Sequence, residues 1–230
     1  LKVLNDFVRW VEQLPNASLD GIWLYRLEVL GIYIFLLLFL YYSKTRRFRN
    51  LVICFSCLLC LGIYHTVMRW YDRPCPSLVF YNVRGCPAIH CIAEDGTSWL
   101  NYADTLSDKR RLQAVAANYW RRHQLLPIEV TADCQNVDFC RHQQIVFYHG
   151  CRICMVTDNR WRNKSAASPL FIDYMYLCKG YNGCLEELTG LFSPSCILLD
   201  ASLSDDRKQL FRKECERLTL SEEGSVRFLL

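Results

Sequence analysis

The feature that most constrains this chain is the run Leu51 to Met68, eighteen residues with no acidic and no permanently basic side chain. A helix needs roughly 20 such residues to cross the ~30 Å hydrocarbon core of a bilayer. A second run, Ile22 to Tyr42, adds twenty-one residues, with Arg26 and Glu28 confined to its first turns. Two transmembrane helices are therefore expected within residues 21–74. Tyr33, Tyr41, Tyr42, Trp70 and Tyr71 are amphipathic rings suited to the membrane–water boundary. Between the runs lie Lys44, Arg46, Arg47 and Arg49, four cations in six residues. Positive charge concentrates in cytoplasmic loops, so the pattern puts this loop in the cytoplasm and residues 75–230 on the other side. The expected location is the plasma membrane, multi-pass, with residues 75–230 extracytoplasmic. Arg26 and Glu28 read as an interfacial ion pair.

Whole-chain averages conceal this division. The 230 residues are 52% hydrophobic with a mean hydropathy of +0.04 and a net charge of +4. A disordered tail, a collagen and a small disulfide knot are excluded by apolar content and length. Residues 1–74 hold nine Lys/Arg against five Asp/Glu, whereas residues 75–230 hold eighteen of each. All of the excess charge sits in the hydrophobic third, and a neutral domain follows it. Ahead of the membrane runs, Leu1, Leu4, Phe7, Val8, Val11 and Leu14 repeat at helical spacing before Pro15. That pattern predicts an amphipathic helix over residues 1–20, lying on the interface or on a partner helix. The chain opens on Leu without a signal-peptide pattern, which suggests the C-terminal portion of a longer protein.

From Ser77 onward the periodicity becomes that of short strands. Leu78–Val83, Ala88–Ala93 and Ser98–Tyr102 read as strands, with Glu94–Thr97 as a hairpin turn between the last two. Ser107-Asp108 starts a helix to about His123, its apolar face Leu112, Val115, Ala116 and Tyr119, and Pro127 follows as a stop. Further strands are expected at Ile128–Thr131, Ile145–Tyr148, Ile153–Thr157, Ile172–Leu177, Cys196–Asp200 and Val226–Leu230. Helices are expected at Leu185–Leu191 and Asp205–Leu218. Strands and helices interleave, so the domain is α/β or α+β around a sheet core.

Fourteen cysteines divide into three in the second membrane run and eleven beyond it, and an odd eleven cannot pair fully within one chain. Buried thiols are the main expectation, with one or two disulfides if the compartment is oxidising. The CxxC outside the membrane runs, Cys151 to Cys154, falls on a strand whose alternation sends the two thiols to opposite faces, which disfavours zinc and thioredoxin-like chemistry. None of the five histidines lies within four residues of another, and no G-x-S-x-G, P-loop or HExxH occurs. Asp133, Asp138, Asp158, Asp173 and Asp200 follow or interrupt strands. Such residues can ligate metals, but capping of turns is the plainer reading. One segment, Asp158 to Lys164, could neutralise phosphates through Arg160, Arg162 and Lys164 and stack a base on Trp161. Arg121, Arg122 and His123 add charge at a helix end. The neutral domain offers no broad basic field, so a solvated loop is the competing account.

Taken together, several segments resemble a known family. Phe7-Val-Arg-Trp-Val-Glu-Gln-Leu-Pro15, Leu24-Tyr-Arg-Leu-Glu28 and Tyr33 look like the end of the competence domain of ComEC-type DNA-internalisation proteins. Tyr81-Asn-Val-Arg-Gly-Cys-Pro-Ala-Ile-His90 is similar to the D-V-G-Q-G-D-S strand and turn that opens the family's extracytoplasmic metallo-β-lactamase-like domain. Ser98-Trp-Leu-Asn-Tyr-Ala103 is similar to the strand ending in D-G-G. Asp173 to Gly183 resembles the strand leading to H-H-G-S, Phe192 to Asp200 the strand after it, and Glu223 to Leu230 the terminal strand. The resemblance implies a reduced metallo-β-lactamase-like β-sheet with flanking helices. It also implies DNA, in single-stranded form, as the partner, together with membrane lipid, upstream channel helices of the same protein and other envelope uptake proteins.

Departures from the family pattern carry equal weight. The H-x-H-x-D-H run has no counterpart, Tyr102 stands near the D of D-G-G, and Tyr181-Asn182 replace the paired histidines. The stretch between Asp133 and Arg160 is shorter than the family's active-site loops. Imidazole and carboxylate ligands are what hold a metal and acidify its bound water. The implied domain therefore keeps the fold, takes no cofactor and has lost the chemistry. The function expected is a non-catalytic part of a DNA-uptake channel that guides DNA or supports assembly. Two alternatives stand beside it: a metal-dependent hydrolase or nuclease built from His142, His149 and nearby aspartates, and an envelope protein-interaction module.

Overall fold

The computed structural model describes residues 23–103, 109–130, 132–212, 218–219 and 224–230. The amphipathic helix expected over residues 1–20 and the helix start at Ser107-Asp108 lie outside the described residues. The chain forms two compact units, one reaching to Arg73 and including Arg121–Gln124, the other formed by Pro74–Trp120 and Leu125–Leu230.

In the first unit, α1 (Arg26–Thr45) and α2 (Phe48–Tyr71) are each long and apolar enough to cross a membrane. Leu37, Leu40, Phe55 and Leu59 remain exposed, which suits a surface solvated by lipid. Arg46, in the left-handed region at φ 49°, and Arg47 form the whole link between the helices. Lys44 lies in the last turn of α1 and Arg49 in the first turn of α2. The helices meet closely at Gly31, where the Leu61 side chain fills the space a Cβ would need. Glu28 does not pair with Arg26. It is buried, accepts the Tyr25 backbone N–H at 2.8 Å and meets His65 Nδ1 at 2.6 Å. A carboxylate at the first turn of a helix satisfies backbone donors that would otherwise be orphaned, and this outweighs a neighbouring surface cation.

The second unit contains two sheets. The first has the order β12-β1-β2-β3-β4, from β1 (Ser77–Phe80), β2 (Ala88–Ile92), β3 (Ser98–Tyr102), β4 (Ile128–Val130) and β12 (Val226–Leu229), antiparallel except for the β3–β4 pair. The second runs β11-β10-β9-β8-β7-β6-β5. Its members are β5 (Cys134–Gln135), β6 (Phe139–His142), β7 (Ile145–Tyr148), β8 (Cys151–Val156), β9 (Leu170–Leu177), β10 (Phe192–Leu199) and β11 (Leu218–Thr219). Strands β8 to β11 are parallel, and β5 to β8 form an antiparallel meander.

Burial is complete along β1, β2 and β3 because both faces of the first sheet are covered. Leu78, Phe80, Ile89, Cys91 and Trp99 face the other sheet and pack with Phe139, Tyr148, Ile153, Met155, Tyr176 and Leu198. Val79, Ala88, Ile92 and Leu100 point the opposite way, onto Leu112 and Ala116 of α3 (Lys109–His123). The outer face of the second sheet packs Cys154, Val156, Met175, Leu177 and Leu199 against Leu185 and Leu188 of α4 (Leu185–Thr189) and Phe211 of α5 (Asp205–Arg212). The layer order is therefore helix, sheet, sheet, helices.

Four details differ from the sequence expectation. Strands β5 and β6 form where none was expected, because each is stabilised by ladder partners and not by an apolar run of its own. Leu218 lies in a strand and not in the helix drawn from Asp205. Val115 is 65% exposed, since the face of α3 turned to the sheet is a narrow stripe two residues wide. Cys196 is only half-buried, while Cys91, Cys154 and Cys178 are buried as expected. At the β2–β3 hairpin, Asp95 Oδ1 accepts the Thr97 N–H at 2.8 Å and Gly96 takes φ +86°, as that turn requires.

One buried group makes this fold pH-sensitive. His90 is fully buried on β2, and Trp120 Nε1 donates to the Tyr81 hydroxyl at 2.8 Å, which leaves the hydroxyl proton for His90 Nδ1 at 2.8 Å. Burial pushes the imidazole down to about 3. An unfolded chain protonates histidine near pH 6.5, so below that pH the unfolded state binds a proton the folded state refuses. Stability should fall on acidification from about pH 6.5, by at most ~1.4 kcal/mol per pH unit, until the folded-state value is reached. Urea unfolding of the full chain in detergent across this range, beside His90→Gln, checks it. Equal slopes in both proteins would refute the assignment.

Candidate functional site

Three parallel strands, β8, β9 and β10, end side by side, and their C-terminal loops form one edge of the second sheet. Ligands of sheet-based folds bind at such edges, because loops there carry side chains that the ladder does not constrain. Asp158, Cys178 and Asp200 stand at these ends. The turn from β1 to β2 joins them from the other sheet: the Gly85 N–H donates to Ser202 Oγ at 2.6 Å.

The loop after β8 carries Arg160, Trp161, Arg162 and Lys164, and the structure gives each an internal partner. Arg160 Nη2 lies 2.8 Å from Asp158 Oδ2, with Nε 3.0 Å from the same carboxylate. Burial pushes the Asp158 carboxyl up, but the Arg160 guanidinium outweighs it and holds the group below the usual carboxylate range. Trp161 is half-buried. Its indole N–H donates to Gln144 Oε1 at 2.5 Å, and its ring stands edge-on to Phe192 at 5.0 Å. Lys164 Nζ lies 5.5 Å from the centre of the same ring, and Arg162 Nε lies 3.8 Å from Glu187 Oε1. The loop is tied to the next one by Asn159 Oδ1, which accepts the Asn182 N–H at 2.8 Å. These cations are brought together, yet two of them face carboxylates of the same molecule.

The resemblance to a metallo-β-lactamase-like domain implies a metal, and the donor set does not fit one. Among the described residues no three His, Cys, Asp or Glu side chains converge. His142 ends β6 and meets Asp133 at 3.1 Å, while His149 lies in the turn after β7, at the opposite end of the same hairpin. Four residues of strand separate the two, more than ~10 Å at 3.4 Å per residue. Asp200 is fully buried, and both of its oxygens are committed inward, Oδ1 to the Tyr176 hydroxyl at 2.8 Å and Oδ2 to the Ser202 N–H at 3.0 Å. Burial raises its carboxyl above the ordinary range despite those bonds. Tyr181 is 1% exposed and directs its hydroxyl to the Cys184 carbonyl at 2.8 Å, so it packs where a ligand would protrude. Cys154 lies in the outer apolar layer with its thiol pushed up to about 12 by burial, whereas Cys151 is half-buried at the start of β8.

Gly180 explains why the loop after β9 runs as it does. A Cβ there would collide with the Thr157 carbonyl at the end of β8, so only glycine lets the two loops close on each other. The sequence reading overlooked the β1–β2 turn and the loop after β10 as a joint surface. The signal was present in Arg84-Gly85 and in the serines at 202 and 204, but only the pairing of the two sheets' edges unites them.

Comparison with known proteins agrees with the family signal in the sequence. The profile of the ComEC C-terminal domain matches residues 78–222, the stretch that builds most of both sheets and α3 to α5. No curated protein and no solved structure matches the chain. The profile covers more than half of the residues, and the chain belongs to the ComEC family.

Proposed function

We propose that this chain is part of a competence DNA-uptake protein in which α1 and α2 anchor a non-catalytic domain that guides an incoming single strand. ComEC membership implies the uptake context. The observation that carries the non-catalytic reading is the strand-end edge, where Asp158 and Asp200 are committed to Arg160, Tyr176 and Ser202 and, among the described residues, no three metal-type donors converge. The helix–sheet–sheet–helix layering supports a metallo-β-lactamase-like fold kept without its ligands. On this reading the transmembrane hairpin lies within residues 21–74, and residues 75–230 are extracytoplasmic. Lys44, Arg46, Arg47 and Arg49 hold the helix link in the cytoplasm. The exposed apolar faces of α1 and α2 pack on lipid and on upstream helices of the channel.

Three measurements test the reading. A strain whose protein lacks residues 75–230 should lose transformation, and undiminished uptake would overturn the role. Replacing Arg160, Trp161 and Arg162 together with Ala should weaken salt-sensitive single-strand binding by about tenfold, as expected for lost phosphate and stacking contacts. An unchanged affinity removes the loop as a contact. Metal analysis of the purified chain should find no stoichiometric zinc or manganese. Finding either would favour the hydrolase alternative, with His142 and His149 as the first residues to replace.

A further inference from the structure

Where the β1–β2 turn meets the loop after β10, a cavity of about 470 Å³ opens between the ends of the two sheets. Its size falls in the range of small-ligand pockets. Asn82 and Arg84 line it from the β1–β2 turn; Ser204, Asp205 and Lys208 line it from the start and first turns of α5.

The charge of this cavity is incompletely balanced. Lys208, on α5, is only 7% exposed, and lysine is rarely so buried unless firmly paired. Its ammonium reaches the Ala201 carbonyl at 3.3 Å and Asp205 Oδ1 at 3.8 Å. The Asp205 side chain is 94% exposed, so water screens that long pairing and it offsets little of the burial cost. Arg84 makes no hydrogen bond or ion pair among the described residues, and its guanidinium carries the planar fork that suits phosphate oxygens. The backbone that carries Arg84 is fixed. Gly85 takes φ +80°, the Cys86 N–H closes the turn on the Val83 carbonyl at 2.9 Å, and Ser202 holds the Gly85 N–H. The Asn82 N–H is held by Ser225 Oγ at 3.0 Å. Two cations, one on the β1–β2 turn and one on α5, thus line one opening against a single solvated carboxylate.

We propose that this cavity binds a phosphate group of a nucleic-acid backbone through Arg84 and Lys208, without a metal. The assignment rests on the strand-guiding reading above and names the site that would hold the strand. It differs from the loop after β8, where Arg160 and Arg162 already face internal carboxylates. Here an entering phosphate supplies the counter-charge that Lys208 lacks.

The test is binding of labelled oligothymidylate to the full chain in detergent micelles over a salt series, with Arg84→Gln and Lys208→Gln. A phosphate contact on a single strand contributes roughly 0.7 to the slope of log affinity against log salt, so each variant should lower the slope by about that amount and weaken binding about tenfold. Arg84 is exposed, so Arg84→Gln leaves the core intact even if Lys208→Gln unfolds. Inorganic phosphate should raise the melting temperature of the parent chain and not of Arg84→Gln. If the parent binds the strand and Arg84→Gln matches it in affinity and slope, the pocket assignment is overturned and the guiding role survives. If the parent binds no strand at all, both are overturned. A phosphate-dependent melting shift in that case would mark a pocket for free phosphate.

Discussion

The second unit depends on the apolar layer between its two sheets. Phe80 on β1 meets Tyr176 on β9 edge-on at 5.4 Å, Trp99 on β3 stacks on Phe139 of β6 at 5.3 Å, and the Tyr148 hydroxyl donates to the Ile92 carbonyl at 2.6 Å. Each fully buried large side chain is worth about 1.5–3 kcal/mol, and each aromatic pair adds about 0.5–1.5 kcal/mol. These contacts lock the sheets in one register, since a slip by one residue would turn Phe80 and Leu78 toward α3. The position of the strand-end loops follows from that register.

Because the sheets are locked, their edge loops can be held by few bonds. Ser202 ties the β1–β2 turn to the loop after β10, and Asn159 ties the loops after β8 and β9. The carboxylates at this edge are occupied in holding structure: Asp158 by Arg160, Asp200 by Tyr176 and Ser202. A metal needs such groups uncommitted and convergent. The same edge places Arg84 and Lys208 on one cavity.

Much of this was legible in advance. The strand Ser98–Tyr102 and the strand Ile145–Tyr148 were read to the residue, because polar and glycine-bearing turn segments flank short apolar runs. The two membrane-length helices were read from their lack of charge. Strands β5 and β6 were not read, since Cys134-Gln135 and Phe139–His142 are polar enough to pass for loop. The pairing of Glu28 with His65 was also missed, as it joins residues thirty-seven apart.

The sequence by itself determined most of the strands and helices, the two helices of membrane length, the neutrality of residues 75–230 and the family. These follow from hydrophobic period, charge and motif, which are properties of neighbouring residues. Only the tertiary structure decided that Arg160, Trp161 and Arg162 are internally partnered and that Arg84 and Lys208 share a cavity. Those outcomes depend on which strand ends and loops meet: Trp161 reaches Gln144 across 17 positions, and Gly85 reaches Ser202 across 117.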